Sequence, residues 1–311
     1  MHEYKGIIKL TRMRGESIML TIKDKYVFMM SKDNQPIISV DANTTICIET
    51  KDCFNNQIDN EDYIIDELDW DHINPATGPI YVNGAKKGDI LKVKIESIEL
   101  GDAGTMCAIS DNGVLGDKVT YNSIKKIPIK GDKAYFNDIE IPLNKMIGVI
   151  GVAPKDEGIA CGTPGHHGGN MDNTKITEGA TLYLPVFHEG ALFSLGDVHA
   201  CMGDGEIMVS GVEIPANVTV TLDIVKGQTI ENPMLEDDQY IYTIASNEDL
   251  DKAIYTATLT MNEIIQKQLH YDFNEAGMLM SACGNVEICQ VVDPEKTVRF
   301  STPKKVVSQL F

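Results

Sequence analysis

The chain is short of cations, aromatic residues and long apolar runs. It carries 27 lysines and arginines against 46 acids among 311 residues, a formal charge of −19. A field of that sign repels nucleic acid and anionic membrane, and it favours neutral or cationic ligands and hard metal ions. In most acidic proteins such a charge serves solubility alone. Aromatic residues make up 6 %, with a single tryptophan, and no basic cluster is present to receive an anionic substrate. The longest apolar stretch, around MIGVIGVA, is far too short to span a bilayer. The N-terminus, MHEYKGIIKLTRMRGES, has no continuous apolar core of the signal-peptide kind, which predicts a cytoplasmic protein. Seven cysteines occur without a Cys-x-x-Cys pair, which excludes a zinc ribbon and a thioredoxin-like motif and fits a reducing compartment. HExxH, P-loop and GxSxG signatures are also missing, removing the common hydrolase and nucleotide-binding patterns.

What is present reads as β structure. TTICIETKD alternates from Thr44 to Asp52, placing Ile46, Ile48, Thr50 and Asp52 on one face, with Asp52 at the strand end. Ile90–Leu100 alternates as clearly, and Val212–Gly227 predicts a further strand pair. Asn-Gly and Gly-Asp dipeptides punctuate these runs, as in a sandwich or barrel. The last third changes character. A cap at Ser246 or Asn247 precedes Leu250, Ile254, Ala257, Met261, Ile264, Ile265 and Gln268 at helical spacing. A second helix is expected over residues 274–283 and a strand over 286–293. The fold class predicted is mainly β: a β-sandwich, jelly-roll-like and barrel-like body over residues 1–227, followed by a smaller α/β section over 228–311.

Two glycine-rich loops gather chemistry. GDVHACMGDGE, residues 196–206, holds Asp197, His199, Asp204 and Glu206. Side chains two apart on a strand share a face, so Asp197 and His199 point together. Gly203 and Gly205 then turn the chain, and a hairpin return brings Glu206 back towards them. GTPGHHGGNMD, residues 162–172, sets His166, His167, Asn170 and Asp172 among glycines and prolines and cannot be a helix interior. Together the loops can furnish a divalent-metal site. The plainer alternative is that an isolated histidine is packed in the core and an aspartate in Gly-Asp-Gly is a turn residue.

The chain resembles the acetamidase/formamidase family. The resemblance rests on ETKDCFNNQI at 49–58, NPATGPIYVNGAKKGD at 74–89, MIGVIGVAP at 146–154, PGHHGGNMD at 164–172 and GALFSLGDVHACMGDGE at 190–206, in the family's order. It covers roughly residues 26–300. Departures are the Asp-Ala-Asn turn before Thr44, where the family tends to have Gly-Asp, and the first twenty-odd residues, which match nothing. His167 falls on the fixed histidine of the pattern and His166 on a variable position. Asp52, Asn170, Asp172, Asp197, His199, Asp204 and Glu206 fall on fixed positions. Cys201 stands where other members often carry alanine.

That resemblance implies a sandwich-like homodimer with bound metal that cleaves formamide or acetamide to ammonia and a short acid. On it, Asp52, His167, Asp197 and His199 are expected to ligate a divalent metal such as zinc, with calcium at a second site. Glu206 and Asp204 are expected as the catalytic acids, Glu206 as general base and proton shuttle. Glu206 as a fifth ligand or as a structural acid remains the alternative. Asn170 and Asp172 are expected to bind substrate, and backbone N–H groups of Gly168, Gly169, Gly203 or Gly205 to hold the oxyanion. The partner is a small neutral amide, with no nucleic acid and no membrane. Loops this short predict a small pocket. The few heavy atoms of formamide or acetamide gain at most about 1.5 kcal/mol each, so KM should be weak. Two rivals stay open: a cysteine amidase using Cys53 or Cys201, and a non-catalytic small-amide binding protein.

Overall fold

The computed structural model describes residues 8–12 and 18–311, the first stretch and Ile18 as backbone only. Residues 1–7 and 13–17, on which much of the N-terminal reading rests, lie outside the described residues. The alternating run Ile90–Leu100 is a strand with those bounds, and it shows why these sequences become sheet. Leu91, Val93 and Ile95 turn into the core on alternate positions, but the next buried side chain on that face is Ile98. The phase slips because Glu96 is an extra residue: Ser97 pairs with Thr219 while Ile95 pairs with Val220. A one-residue bulge of this kind keeps the apolar set inward as the strand bends.

Ile90–Leu100 sits inside a ten-stranded sheet, between Ala216–Val225 and Thr181–Pro185. A second sheet of eleven strands is centred on Phe193–His199. One hydrophobic core fills the space between them, drawing Ile46, Ile48 and Val93 from the first sheet and Ile147, Leu195 and Val198 from the second. Neither sheet closes on itself, so the body is a sandwich and the barrel-like element of the expectation does not apply.

The C-terminal section has its own cluster, in which Ala253, Ala257, Met261 and Ile265 of the helix α1 (Leu250–Leu269) pack on Ile241, Val298 and Phe300. It is not a separate sheet. Its strands extend the ten-stranded sheet through the pairing of Thr181–Tyr183 with Met234–Glu236. The cap of α1 is Asp249, whose carboxylate accepts from the N–H groups of Asp251 and Lys252. Ser246 and Asn247, the expected caps, stay in the strand Tyr240–Asn247, where cross-strand pairing holds them. Helix α2 runs Phe273–Cys283 behind a capping box of Asp272 and Glu275, and the last expected strand is shorter, Asn285–Gln290.

Two features position the site. Phe193–His199 pairs along one edge with Met146–Gly151. Along its other edge two strands meet end to end: Ala76–Asn83, which stops at the Gly196–Ala76 pair, and Glu213–Ile214, which starts at Val198–Ile214. Asp197 falls in that junction and pairs with neither, in the left-handed region at φ 52°. The expected hairpin around it is looser than a tip. The chain leaves the sheet at His199 and wanders through turns before rejoining as Glu213–Ile214, with Pro215 separating that short strand from Ala216–Val225.

Candidate active site

His199 is the hub. Its ring is 1 % exposed, and Nε2 lies 3.2 Å from Asp197 Oδ1, 3.0 Å from Glu213 Oε2 and 3.8 Å from Asp172 Oδ1. The ring can lie there because residue 211 is glycine: a Cβ at that position would come within 2.7 Å of His199 Nδ1. The Gly211 N–H then donates to two carboxylates, Glu213 Oε1 at 2.8 Å and Glu206 Oε1 at 3.1 Å. Glu206 reaches that position through a left-handed backbone at φ 49°. Across the sheet, Gly148 leaves room for two more acids, since a Cβ there would meet Asp172 Oδ1 at 2.4 Å and Asp197 Oδ2 at 2.6 Å.

Burial and crowding set the electrostatics. Desolvation, with the charges of neighbouring acids, pushes Asp172, Glu206 and Asp293 well above the usual carboxylate range. Burial lifts Glu213 to about 8 and Asp52 to about 6. Burial alone would lower His199, but Glu213 and Asp197 outweigh it and hold the imidazole well above its ordinary value. Asp197 is the exception among the acids: burial raises it, and His199 more than reverses that.

The structure brings Asp172, Asp197, His199 and Glu206 together and adds two residues that sequence reasoning missed. Glu213 is the cross-strand partner of His199. Its signal was an acid set between Val212 and Ile214 in a strand, 1 % exposed in the fold. Asp293 comes from the C-terminal section and accepts from Asn170 Nδ2 at 3.0 Å; nothing local marked it. Asp52 is buried beside them, held by the Asn56 N–H at 2.6 Å, and the charge of Asp197 is among those acting on it.

Other expected residues stand elsewhere. His167 is fully buried, but among the described residues it joins neither cation-sized grouping, and neither ring nitrogen has a hydrogen-bond partner. Burial, together with the charge of neighbouring His166, lowers it to about 4. It lines a separate cavity with His166 and Phe187. Asp204 belongs to Arg299: the guanidinium, 1 % exposed, donates through Nη1 at 3.0 Å and through Nη2, and Thr174 adds a bond at 2.8 Å. That pairing occupies Asp204 in joining the 203–205 turn to the C-terminal section. Two of the four expected oxyanion donors are already engaged, Gly168 N–H with Gly165 O and Gly205 N–H with Cys289 O. Gly203 is exposed at the surface turn, and Gly169 is buried in the strand Gly168–Asn170.

Among the described residues, two groupings bring three ligand atoms within 4.8 Å of one another: Asp172, His199 and Glu206, and Cys53, Asp197 and Glu213. Both Asp172 oxygens lack any hydrogen-bond partner although the residue is 0 % exposed. Buried carboxylates without donors are costly. His199 is the one basic side chain in either grouping. A divalent cation fits this donor set, since it supplies positive charge and satisfies the orphaned oxygens together.

The centre opens on a cavity of about 550 Å³ lined by Asn170, Asp197, Glu206, Glu213 and Asp293 at its base. The cavity is larger than the small pocket expected from the glycine loops. Its walls come instead from Phe28, Phe54, Ile73 and Ile109, in segments far from those loops in sequence.

A sandwich of two open sheets with a buried carboxylate–histidine centre beneath a cavity defines this protein's class. Its family follows from comparison: the Acetamidase/Formamidase family model matches residues 29–161 and 156–308, and the chain belongs to that family. An acetamidase from Bacillus halodurans is 44 % identical, with a TM-score of 0.90 over 92 % of this chain and 97 % of that one. A predicted acetamidase/formamidase from Thermoanaerobacter tengcongensis is 48 % identical, with a TM-score of 0.89 over 92 % and 95 %. The formamidase of Methylophilus methylotrophus is 24 % identical over 253 residues, 61 % of this chain and 62 % of that protein. The chain thus spans about three-fifths of the length of the curated relatives it matches along most of the fold. No helix among the described residues is long and apolar enough to cross a membrane.

Proposed function

We propose that this protein hydrolyses the C–N bond of short linear amides, formamide and acetamide among them, to ammonia and the acid, with a divalent cation, zinc by donor type, at the His199 centre. The observation that carries this reading is the set of orphaned, buried carboxylate oxygens around one imidazole at the base of a cavity. Asp172 and His199, which share a grouping, would hold the ion, with Asp197 beside them at 3.2 Å from the same imidazole nitrogen. When bound, such an ion polarises a carbonyl and makes water acidic enough to attack near neutral pH.

The chain's own groups do the rest. Asn170 Nδ2 is tied to Asp293, which leaves Asn170 Oδ1, buried and unpartnered, to accept an N–H of the substrate amide. Glu206 Oε1 is tied to Gly211 N–H, which leaves Oε2 to take a proton from the attacking water. The water oxygen bonds to the carbonyl carbon, and the C–N electron pair returns to nitrogen. Glu206 delivers the proton there, and ammonia leaves.

A cysteine route has less support. Burial and the neighbouring charges of Glu213 and Asp197 push Cys53 well above its ordinary value, and burial raises Cys201 too. Both disfavour the thiolate that a nucleophile needs. Cytoplasmic location and a homodimer belong to the same reading, the latter checked by the particle mass in solution. The central test is ammonia release from formamide and acetamide, paired with elemental analysis before and after chelation. Turnover by demonstrably metal-free protein would remove the ion from the proposal, and no turnover of either amide would remove the activity.

A further inference from the structure

Resting on that reading, we infer that the cavity above the centre is an acyl-chain subsite, built for neutral primary amides with an apolar substituent several carbons long rather than for formamide or acetamide alone. Size comes first. At roughly 30 Å³ per non-hydrogen atom, water's share of its liquid, acetamide fills about 120 Å³. The cavity holds about 550 Å³, so a large remainder lies beyond the reacting amide. Lining comes second. The buried acids and Asn170 lie together at the centre, while Phe28, Phe54, Ile73, Ile109 and Val209 supply much of the remaining lining, broken by Asn74, Asn112 and Thr163. A few convergent polar groups under an apolar chamber is the usual form of a site that orients one end of a ligand and buries the other.

Charge comes third. Among the described residues no lysine or arginine lines the cavity, Asp71 is exposed at its rim and three acids plus Asp293 lie at its base. A substituent ending in a carboxylate would meet repulsion and no cation. The rim also carries Met29 and Trp70, 50 % and 46 % exposed, where a chain emerging from the chamber would cover them. Exposed apolar side chains grouped at a cavity mouth are the expected complement of an apolar ligand.

Trp70 is the only tryptophan in the chain, so its fluorescence reports occupancy without turnover. Each methylene transferred from water into an apolar site is worth up to about a fourfold gain in binding. Across formamide, acetamide, butanamide and hexanamide, dissociation constants read from Trp70 should fall, with hexanamide about tenfold to a hundredfold tighter than acetamide, and kcat/KM should rise in parallel. The carboxylate of the same carbon count, 6-amino-6-oxohexanoate, should bind no better than acetamide. Met29→Glu, a change at an exposed position, should narrow the hexanamide-to-acetamide ratio. Hexanamide binding no tighter than acetamide, or the carboxylate matching hexanamide, overturns the subsite. Ammonia release with a flat binding series defeats this inference and leaves the amidase reading standing. A rising binding series without ammonia release from any amide does the reverse.

Discussion

Without the proposed cation, the stability of this protein should fall as pH rises, and the contribution of one buried acid can be worked from Asp52. Its side chain is buried, and desolvation lifts it from an ordinary 3.8 to about 6. Between those values the folded protein keeps a proton that the unfolded chain has released. The folded state therefore binds more protons, and stability declines with rising pH across that window. At 1.36 kcal/mol per pKa unit, Asp52 alone removes about 3 kcal/mol by pH 6. Glu213, lifted from 4.5 to about 8, works in the same direction and carries the decline towards pH 8. Unfolding entropy near 2.1 cal/mol/K per residue gives a chain of 311 residues about 0.65 kcal/mol/K, so 3 kcal/mol is about 5 °C in Tm. A bound divalent ion favours the ionised carboxylates, and its own affinity grows as they deprotonate. The assay is differential scanning calorimetry from pH 4 to 7, with chelator and with added zinc at each pH. Comparing the two at one pH cancels the titration of surface groups. The gap in Tm should widen steadily as pH rises over that range. A gap that stays constant or shrinks with pH would refute the argument that buried, like-charged carboxylates await a cation.

Three further outcomes are expected. His199→Ala should lower metal content by elemental analysis while the far-ultraviolet circular dichroism stays that of a β-rich fold; unchanged metal with lost activity would make the imidazole an acid–base group instead. Glu206→Gln should keep the metal and cut kcat by roughly 10²–10⁴, the range for a lost general base, whereas loss of the metal with activity would make Glu206 a ligand. Asp204→Asn leaves the buried Arg299 with Glu287 as its remaining carboxylate, at 2.6 Å, so it should lower Tm by several degrees while kcat on formamide stays within a few-fold; a kcat loss like that of Glu206→Gln would return Asp204 to the chemistry.

The sequence alone determined whatever depends on near neighbours. Period-two alternation marked Thr44–Asp52, of which Thr44–Glu49 is strand and Asp52 lies beyond its end, and Ile90–Leu100, and period-3.6 spacing marked α1, because burial of one face repeats with the local geometry of the element. The two-residue offset put Asp197 and His199 on one side, and their side chains do meet at 3.2 Å. Glycine-rich composition kept residues 162–172 out of a helix, though Gly168–Asn170 pairs as a short strand, and the family followed from blocks spread along the chain.

Tertiary structure decided what depends on which strand lies beside which. Glu213 became part of the centre because its two-residue strand pairs at His199. Asp293 arrived from a section that sequence set apart, because the ten-stranded sheet runs on through it. Arg299, nearly a hundred residues downstream, claimed Asp204, and the neighbouring His167 and Asn170 diverged into different cavities. The chamber's volume was set by Phe28, Ile73 and Ile109 meeting across the fold. Periodicity is a property of a few consecutive residues and is written in their order. Strand neighbours, ion-pair partners and cavity walls are set by the packing of distant segments, where burial and charge are settled jointly.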